Sequence, residues 1–413
     1  MNTSPDLASF VVGVRREGGL SLRRILFALR GRPLLASRLL RLREKLTPLL
    51  GPWRPLGKEP GLSPEHASPS TGHFADYQNV ALQLSWVRMQ AGTHLAEGIE
   101  PRVWQAEVRE KLGELMGFRH GKGSLELAHT FREILPGGLE REACYLRLTS
   151  GRYVVASVLR DPVRRGEELA PVMICLQGHT SGAHISWGEA RETIDPARLA
   201  RGGDFAVQAV ARGFVAVCIE QSGFGERREQ VVTHQWDHPC IDQANRALLL
   251  GRTLLAERVM DVCAVVNWLE RTGAAYRIDP RRIYAMGNSG GGDTALYAAA
   301  LDLRIAGVIA GSCVGRFCTT SGRRKSCPDT VIPGILAWLE YDDILALCAP
   351  RPVVAVSGER DHLYPFSEVA AVVAGARPVY ERLGKPEHVR ALAGPGGHRF
   401  YPDMAWPAFM EMI

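Results

Sequence analysis

A chain of 413 residues can hold one large domain or two smaller ones around a sizeable core, and its 46% apolar and 23% charged residues, with no dominant low-complexity tract, exclude a disordered or fibrous protein. The net charge of +6 is unevenly placed: residues 1–58 carry 12 Lys+Arg against 3 Asp+Glu, or +9, which leaves −3 for the remainder, so the basicity belongs to an N-terminal extension. No uninterrupted apolar stretch would span a bilayer, and the first 20 residues lack an apolar core with a small-residue cleavage site, so the expected address is cytoplasmic.

The stretch Leu20 to Leu50 spaces Leu and Ile by three and four with Arg between, the pattern of amphipathic helices, broken at Gly31-Arg32-Pro33. Such helices need an apolar partner: the same domain, or a second copy of the chain in a homodimer, rather than a membrane surface. The Arg-rich, acid-poor composition also suits a transit peptide. No nucleic-acid motif accompanies the charge, so no nucleic-acid partner is expected. Residues 51–73 are rich in Pro, Gly and Ser, the mark of a linker, and a further helical pattern runs from Tyr77 to Met116 with Gly117 placed to cap it. The organisation read from this is an arm over 1–58, a linker over 59–76, a helical segment over 77–119 packing on or capping the core, and a catalytic domain over 120–413.

From Cys144 onward, short β-branched runs alternate with helical patterns. The expected strands are 145–149, 153–159, 172–177, 215–220, 282–287, 306–312, 352–358 and 389–394, with helices at 252–271 and 291–301 among those between. Apolar strands separated by helices predict an α/β fold whose mostly parallel sheet is covered on both faces, with ligands beyond the carboxyl ends of the strands. Nine Cys is an odd number, and Cys175, Cys218 and Cys263 end apolar runs, as reduced core thiols do. Cys318 and Cys327 lie in a polar stretch, open to pairing or metal ligation, but two isolated thiols define neither.

Gly287-Asn288-Ser289-Gly290-Gly291 fits G-x-S-x-G, a strained turn between strand and helix that exposes a Ser nucleophile. It occurs once, after RIYAMG and before the helical DTALYAAAL. A hydroxyl needs a base to remove its proton and a carboxylate to orient that base. Asp361 follows the strand PVVAVSG and His398 follows VRALAG, in the order Ser, Asp, His. Glu359 competes as the acid and His362 as the base, each less well placed. The oxyanion donors expected are the backbone N–H groups of Gly290, next to the nucleophile, and of His179 in the turn QGHTSG after the strand VMICLQ. Thr180, Glu226, Trp236, Trp338 and His362 are candidate pocket residues, and the loops 226–246 and 316–341 are candidate specificity walls. Arg323, Arg324 and Lys325 would meet an anionic substrate, unless they are a solvated charge run. His234, Asp237 and His238 lie close together, but no second ligand cluster supports them, so they read as pocket wall and no metal is expected.

The stretches DVCAVVNWLERTG, IDPRRIYAMGNSGGGDTALYAAALDLRI, VIPGIL, APRPVVAVSGERDHLYPF and GPGGHRFYPD, with SGFGER and GRTLLAERVMDV, resemble the bacterial acetylxylan-esterase-like and dienelactone-hydrolase-like serine hydrolases of the α/β-hydrolase superfamily. The resemblance implies the α/β-hydrolase fold, triad places for Ser289, Asp361 and His398, oxyanion-hole places for His179 and Gly290, and no cofactor. Relatives often carry an acidic residue and Arg before GFGER, where this chain has Glu220-Gln221-Ser222, and the segment Cys327–Val331 is also its own. The expected activity is hydrolysis of a carboxylic ester of a small molecule, deacetylation included. The alternatives are cleavage of a carbon-carbon bond or acyl transfer on the same fold, or a ligand-binding module with an idle triad.

Overall fold

The computed structural model describes residues 98–119, 125–148, 151–163, 168–228, 240–317, 319–320 and 327–413. The arm over 1–58, the linker over 59–76, the first part of the helical segment, Trp236 with its neighbours His234, Asp237 and His238, Cys318, and Arg323 to Lys325 lie outside these. No helix of the described residues is long and apolar enough to cross a membrane.

Nine strands form one sheet: β1 (Leu125–Ile134), β2 (Glu140–Leu148), β3 (Tyr153–Arg160), β4 (Ala170–Leu176), β5 (Val215–Glu220), β6 (Ile278–Asn288), β7 (Ile305–Gly311), β8 (Val353–Gly358) and β9 (Val389–Gly394), in the order β1-β2-β3-β5-β4-β6-β7-β8-β9. Pairing is parallel from β5 through β4 to β9 and antiparallel from β1 to β5, so the sheet is mostly parallel. β1 answers to no expected strand. Nearly all its residues are exposed, so its sequence LELAHTFREI lacks the apolar run by which the others are read.

Strand alternation sorts the apolar side chains into two cores. Val172, Ile174 and Leu176 of β4 join one face with Val215, Val217 and Ile219 of β5, while Met173, Cys175, Ala216 and Cys218 join the other. The first face is covered by α1 (Pro101–Met116), α5 (Leu254–Tyr276), α6 (Gly290–Leu301), α7 (Tyr341–Ala346) and α8 (Phe366–Arg382). The second is covered by α3 (Phe205–Val210) and α9 (Pro402–Met410), where Phe205, Trp406 and Phe409 are fully buried. Two further helices, α2 (Asp195–Leu199) and α4 (Ile241–Leu249), lie in the connections after β4 and β5. Each fully buried Val, Leu or Ile contributes roughly 1.5–3 kcal/mol, which is why interior strands carry little else.

α1 starts where the Glu100 side chain accepts from Val103 N at 2.9 Å, and it ends at the left-handed Gly117. Its stripe Trp104, Val108, Leu112 and Met116 enters the first core. Gln105 Nε2 donates to the carbonyls of Ala346 and Ala349, and Arg109 Nε donates to Ala300 O near the C-terminal end of α6.

Candidate active site

β6 delivers the chain to Ser289 at the topological centre of the parallel block, and α6 leaves from it. Ser289 has φ 56° and ψ −130°, a left-handed conformation that costs a non-Gly residue about 1–3 kcal/mol and persists only when its surroundings impose it. They do. Ser289 N donates to Gly311 O at 2.7 Å, Ser289 O accepts from Asp293 N at 3.0 Å, and a side chain at Gly291 would stand 2.1 Å from Leu176 O. Ser289 thus sits at the N-terminus of a twelve-residue helix, where unpaired N–H groups and the helix dipole favour developing negative charge.

Ser289 lines a cavity of about 460 Å³ together with His398, Gly290, His179, Thr180 and His362. Behind His398, Asp361 is fully buried at the end of β8 and lies 2.9 and 3.1 Å from the ring's Nδ1 through its two oxygens. The same carboxylate accepts from Leu363 N, Tyr364 N and Ser357 Oγ. Burial opposes its charge, but the His398 hydrogen bond and the backbone donors outweigh burial and hold the carboxyl below the usual range. With Nδ1 fixed on Asp361, Nε2 is the ring nitrogen left for proton transfer.

The turn after β4 crosses close to Ser289: a side chain at Gly178 would stand 2.5 Å from Asn288 O and 3.0 Å from Ser289 Cβ. Gln177 Nε2 anchors it to Gly203 O and Ser186 Oγ, and Glu220 accepts from Ala183 N. Ser181, His184 and Asp195 form a second Ser, His, Asp cluster, with Ser181 donating to Asp195 at 2.6 Å and His184 Nε2 3.1 Å from Asp195. All three are buried and none lines the cavity, so the cluster holds the loop.

The His179 side chain does something the sequence did not announce. Its Nε2 lies 3.1 Å from Asp329 Oδ2, which also accepts from Arg258 Nη1 at 2.6 Å, and both Asp329 and Arg258 are wholly buried. Burial disfavours the imidazolium, yet Asp329 outweighs it and raises the His179 pKa to about 10; burial likewise opposes the Asp329 charge, and His179 with Arg258 pulls that carboxyl well down. Cys240 and Cys327 complete the cluster. The one hint in the sequence was Arg258 itself, a cation inside the apolar run of α5.

Two expected pocket residues are corrected. Glu226 is exposed and accepts from the Tyr145 hydroxyl at 2.7 Å, and Trp338 is 44% exposed with the Lys111 ammonium 4.3 Å above its ring. Neither lines the cavity, because each sits on the outward side of its loop. Arg198, Arg201 and Arg399 line it instead, with Phe205 and Phe400 as its apolar floor. Of the competitors, Glu359 is exposed, and His362 lines the cavity with its ring 6.2 Å from that of His398.

Residues 94–391 match the model of a family described as the Abhydrolase family. Over 237 residues the chain is 24% identical to YtaP of Bacillus subtilis, a protein named as a hydrolase, which covers 55% of this chain and 73% of that one. A Bacteroides fragilis structure named for acetyl xylan esterase is similar with a TM-score of 0.60 at 18% identity, over 84% of this chain and 86% of that one. A glucuronoyl esterase from Solibacter usitatus gives 0.57 at 16% identity, over 75% and 91%. At such identities the structural likeness speaks for the fold.

Proposed function

The chain belongs to the Abhydrolase family and is a hydrolase, and from that premise we propose that it is a serine esterase acting on a small-molecule carboxylic ester through Ser289, His398 and Asp361. The observation that carries this reading is the strained Ser289 sharing one cavity with a His whose far nitrogen is fixed by a buried, ionised Asp.

His398 takes the Ser289 proton as Oγ attacks the acyl carbonyl, and Asp361 stabilises the imidazolium that forms. The oxyanion meets the backbone N–H of Gly290 at the start of α6 and that of His179 in the crossing turn. His398 returns the proton to the departing alcohol, and water, activated by the same ring, releases the acyl group. A cavity of about 460 Å³ suits a short acyl chain on a sugar-sized alcohol, and deacetylation is the version of the reading that the carbohydrate-esterase neighbours favour.

A fluorophosphonate probe tests the nucleophile, with a p-nitrophenyl ester series to size the acyl site. The expected result is stoichiometric labelling that Ser289→Ala abolishes, and turnover falling as the acyl chain lengthens. Equal labelling of wild type and Ser289→Ala would overturn the assignment.

A further inference from the structure

Cys240 and Cys327 are 87 residues apart in the chain and 2.7 Å apart at their sulfurs, well inside the contact distance of two unbonded sulfur atoms. Cys240 begins α4 and is fully buried against the turn at Gly223, where a side chain at that glycine would stand 2.8 Å from Cys240 Cβ. It packs with Phe224, Ala244, Ala247 and Leu254, and Cys327 docks on this cluster from the other side. Cys327 is half-buried and lines the cavity that holds Ser289. The other cysteines of the described residues are buried; Cys175 and Cys218 also neighbour each other, on the paired strands β4 and β5, but they lie in the core and do not line the cavity.

With His179 and Asp329 the pair makes a set of atoms within 4.8 Å of one another, which raises metal binding. Two features speak against it. Thiolates on one zinc ion stand farther apart than 2.7 Å, since each Zn–S bond is about 2.3 Å in a tetrahedron. The second is charge: the Arg258 guanidinium and the His179 ring already hold Asp329 Oδ2, so a metal at the remaining Oδ1 would add its charge beside two cations that face one carboxylate and a Cys240 thiol whose pKa is lowered, through the Cys327 hydrogen bond against the effect of burial.

We infer that Cys240 and Cys327 form a disulfide across the wall of the Ser289 cavity, made by exchange with a low-molecular-weight disulfide that enters through that cavity. Cys327, the accessible partner, attacks one sulfur of the entering disulfide, and its proton passes to the small thiolate that leaves. Cys240 then attacks the Cys327 sulfur, its proton passing to the second departing thiolate. Two protein thiols are oxidised by two electrons and one external disulfide is reduced to two thiols. The bridge needs the sulfurs to close from 2.7 Å to about 2.05 Å, so the cavity wall moves little and Ser289 keeps its surroundings. The staple joins α4 to the segment carrying Asp329, and it forms where the surroundings are oxidising and stays open in a reducing cytosol. It does not depend on the esterase reading.

The test is to reduce the full-length chain, remove the reductant, and incubate with excess oxidised glutathione. The expected thiol count under denaturing conditions falls from nine to seven, the intact mass falls by that of two hydrogens, and peptide mapping links Cys240 to Cys327. The bridged protein melts several degrees higher, and reductant reverses this. Cys240→Ser traps one glutathionyl group on Cys327, whereas Cys327→Ser takes up none at Cys240. Persistence of nine thiols, a bridge between another pair, or one zinc per chain shielding both sulfurs would overturn the inference. Should a variant not fold, the wild-type peptide map decides alone, and fluorophosphonate labelling, expected in both states, reports separately on the nucleophile.

Discussion

The cavity has a His–Asp pair on each of two walls, and the pairs do opposite things. On one, His398 meets Asp361 through Nδ1, and the carboxylate's other partners are neutral donors. On the other, His179 meets Asp329 through Nε2, and that carboxylate also holds the buried Arg258. A histidine with a pKa near 10 keeps its proton at neutral pH and cannot serve as a base. Proximity of His and Asp is therefore no sign of catalysis by itself; what distinguishes the walls is which ring nitrogen is engaged and what else the carboxylate must neutralise.

The comparison breaks first at the reacting wall. His398→Ala is expected to lower kcat by about 10⁴-fold or more with KM little changed, and Asp361→Asn by about 10³–10⁴-fold, in steady-state assays on an activated ester. A loss below tenfold in His398→Ala would move the base elsewhere, with His362 the next ring to try. The other wall should answer in stability. Asp329→Ala leaves Arg258 as an uncompensated buried cation and removes what keeps His179 protonated, and denaturant unfolding is expected to show a loss of about 3–5 kcal/mol.

A finer separation uses pH. The folded pKa of His179 is raised above its unfolded value, so its contribution to stability is full below about pH 6.5 and is lost as pH rises toward about 10. The melting temperature of wild type should fall over that window, and His179→Gln should flatten the fall while changing kcat by about tenfold or less. An unchanged slope in the variant would assign the pH dependence to another group. Smallest of all, Glu226→Ala and Trp338→Ala should leave kcat/KM unchanged and stability within about 0.5 kcal/mol, as suits side chains facing away from the cavity.

What could be read from the sequence follows the range of the interaction involved. β4 to β8 announce themselves because burial on both faces forces contiguous apolar runs, and Ser289 because its turn is set among glycines. Asp361 and His398 are legible as residues placed just after such strands. β1, exposed along nearly its whole length at an edge position, leaves no comparable trace. The second wall is silent for another reason: Arg258 and Asp329 are 71 residues apart, Cys240 and Cys327 87 apart, and no local pattern links them. The overreach toward Glu226 and Trp338 has the same origin, since position in a loop near the site does not say which way a side chain turns.

The anchoring of α1 reaches further than its place in the chain suggests. Arg109 and Arg351 together bind the carbonyls of Ala299, Ala300 and Asp302, at the end of α6 opposite Ser289. Cations there complement the negative pole of the very helix whose positive pole is proposed to receive the oxyanion. A protein trimmed to begin at residue 120 would keep every residue of the proposed chemistry and still lose one of those guanidiniums together with the Trp104–Met116 stripe, so the smallest autonomously folding unit has to begin before α1, at or upstream of Glu100.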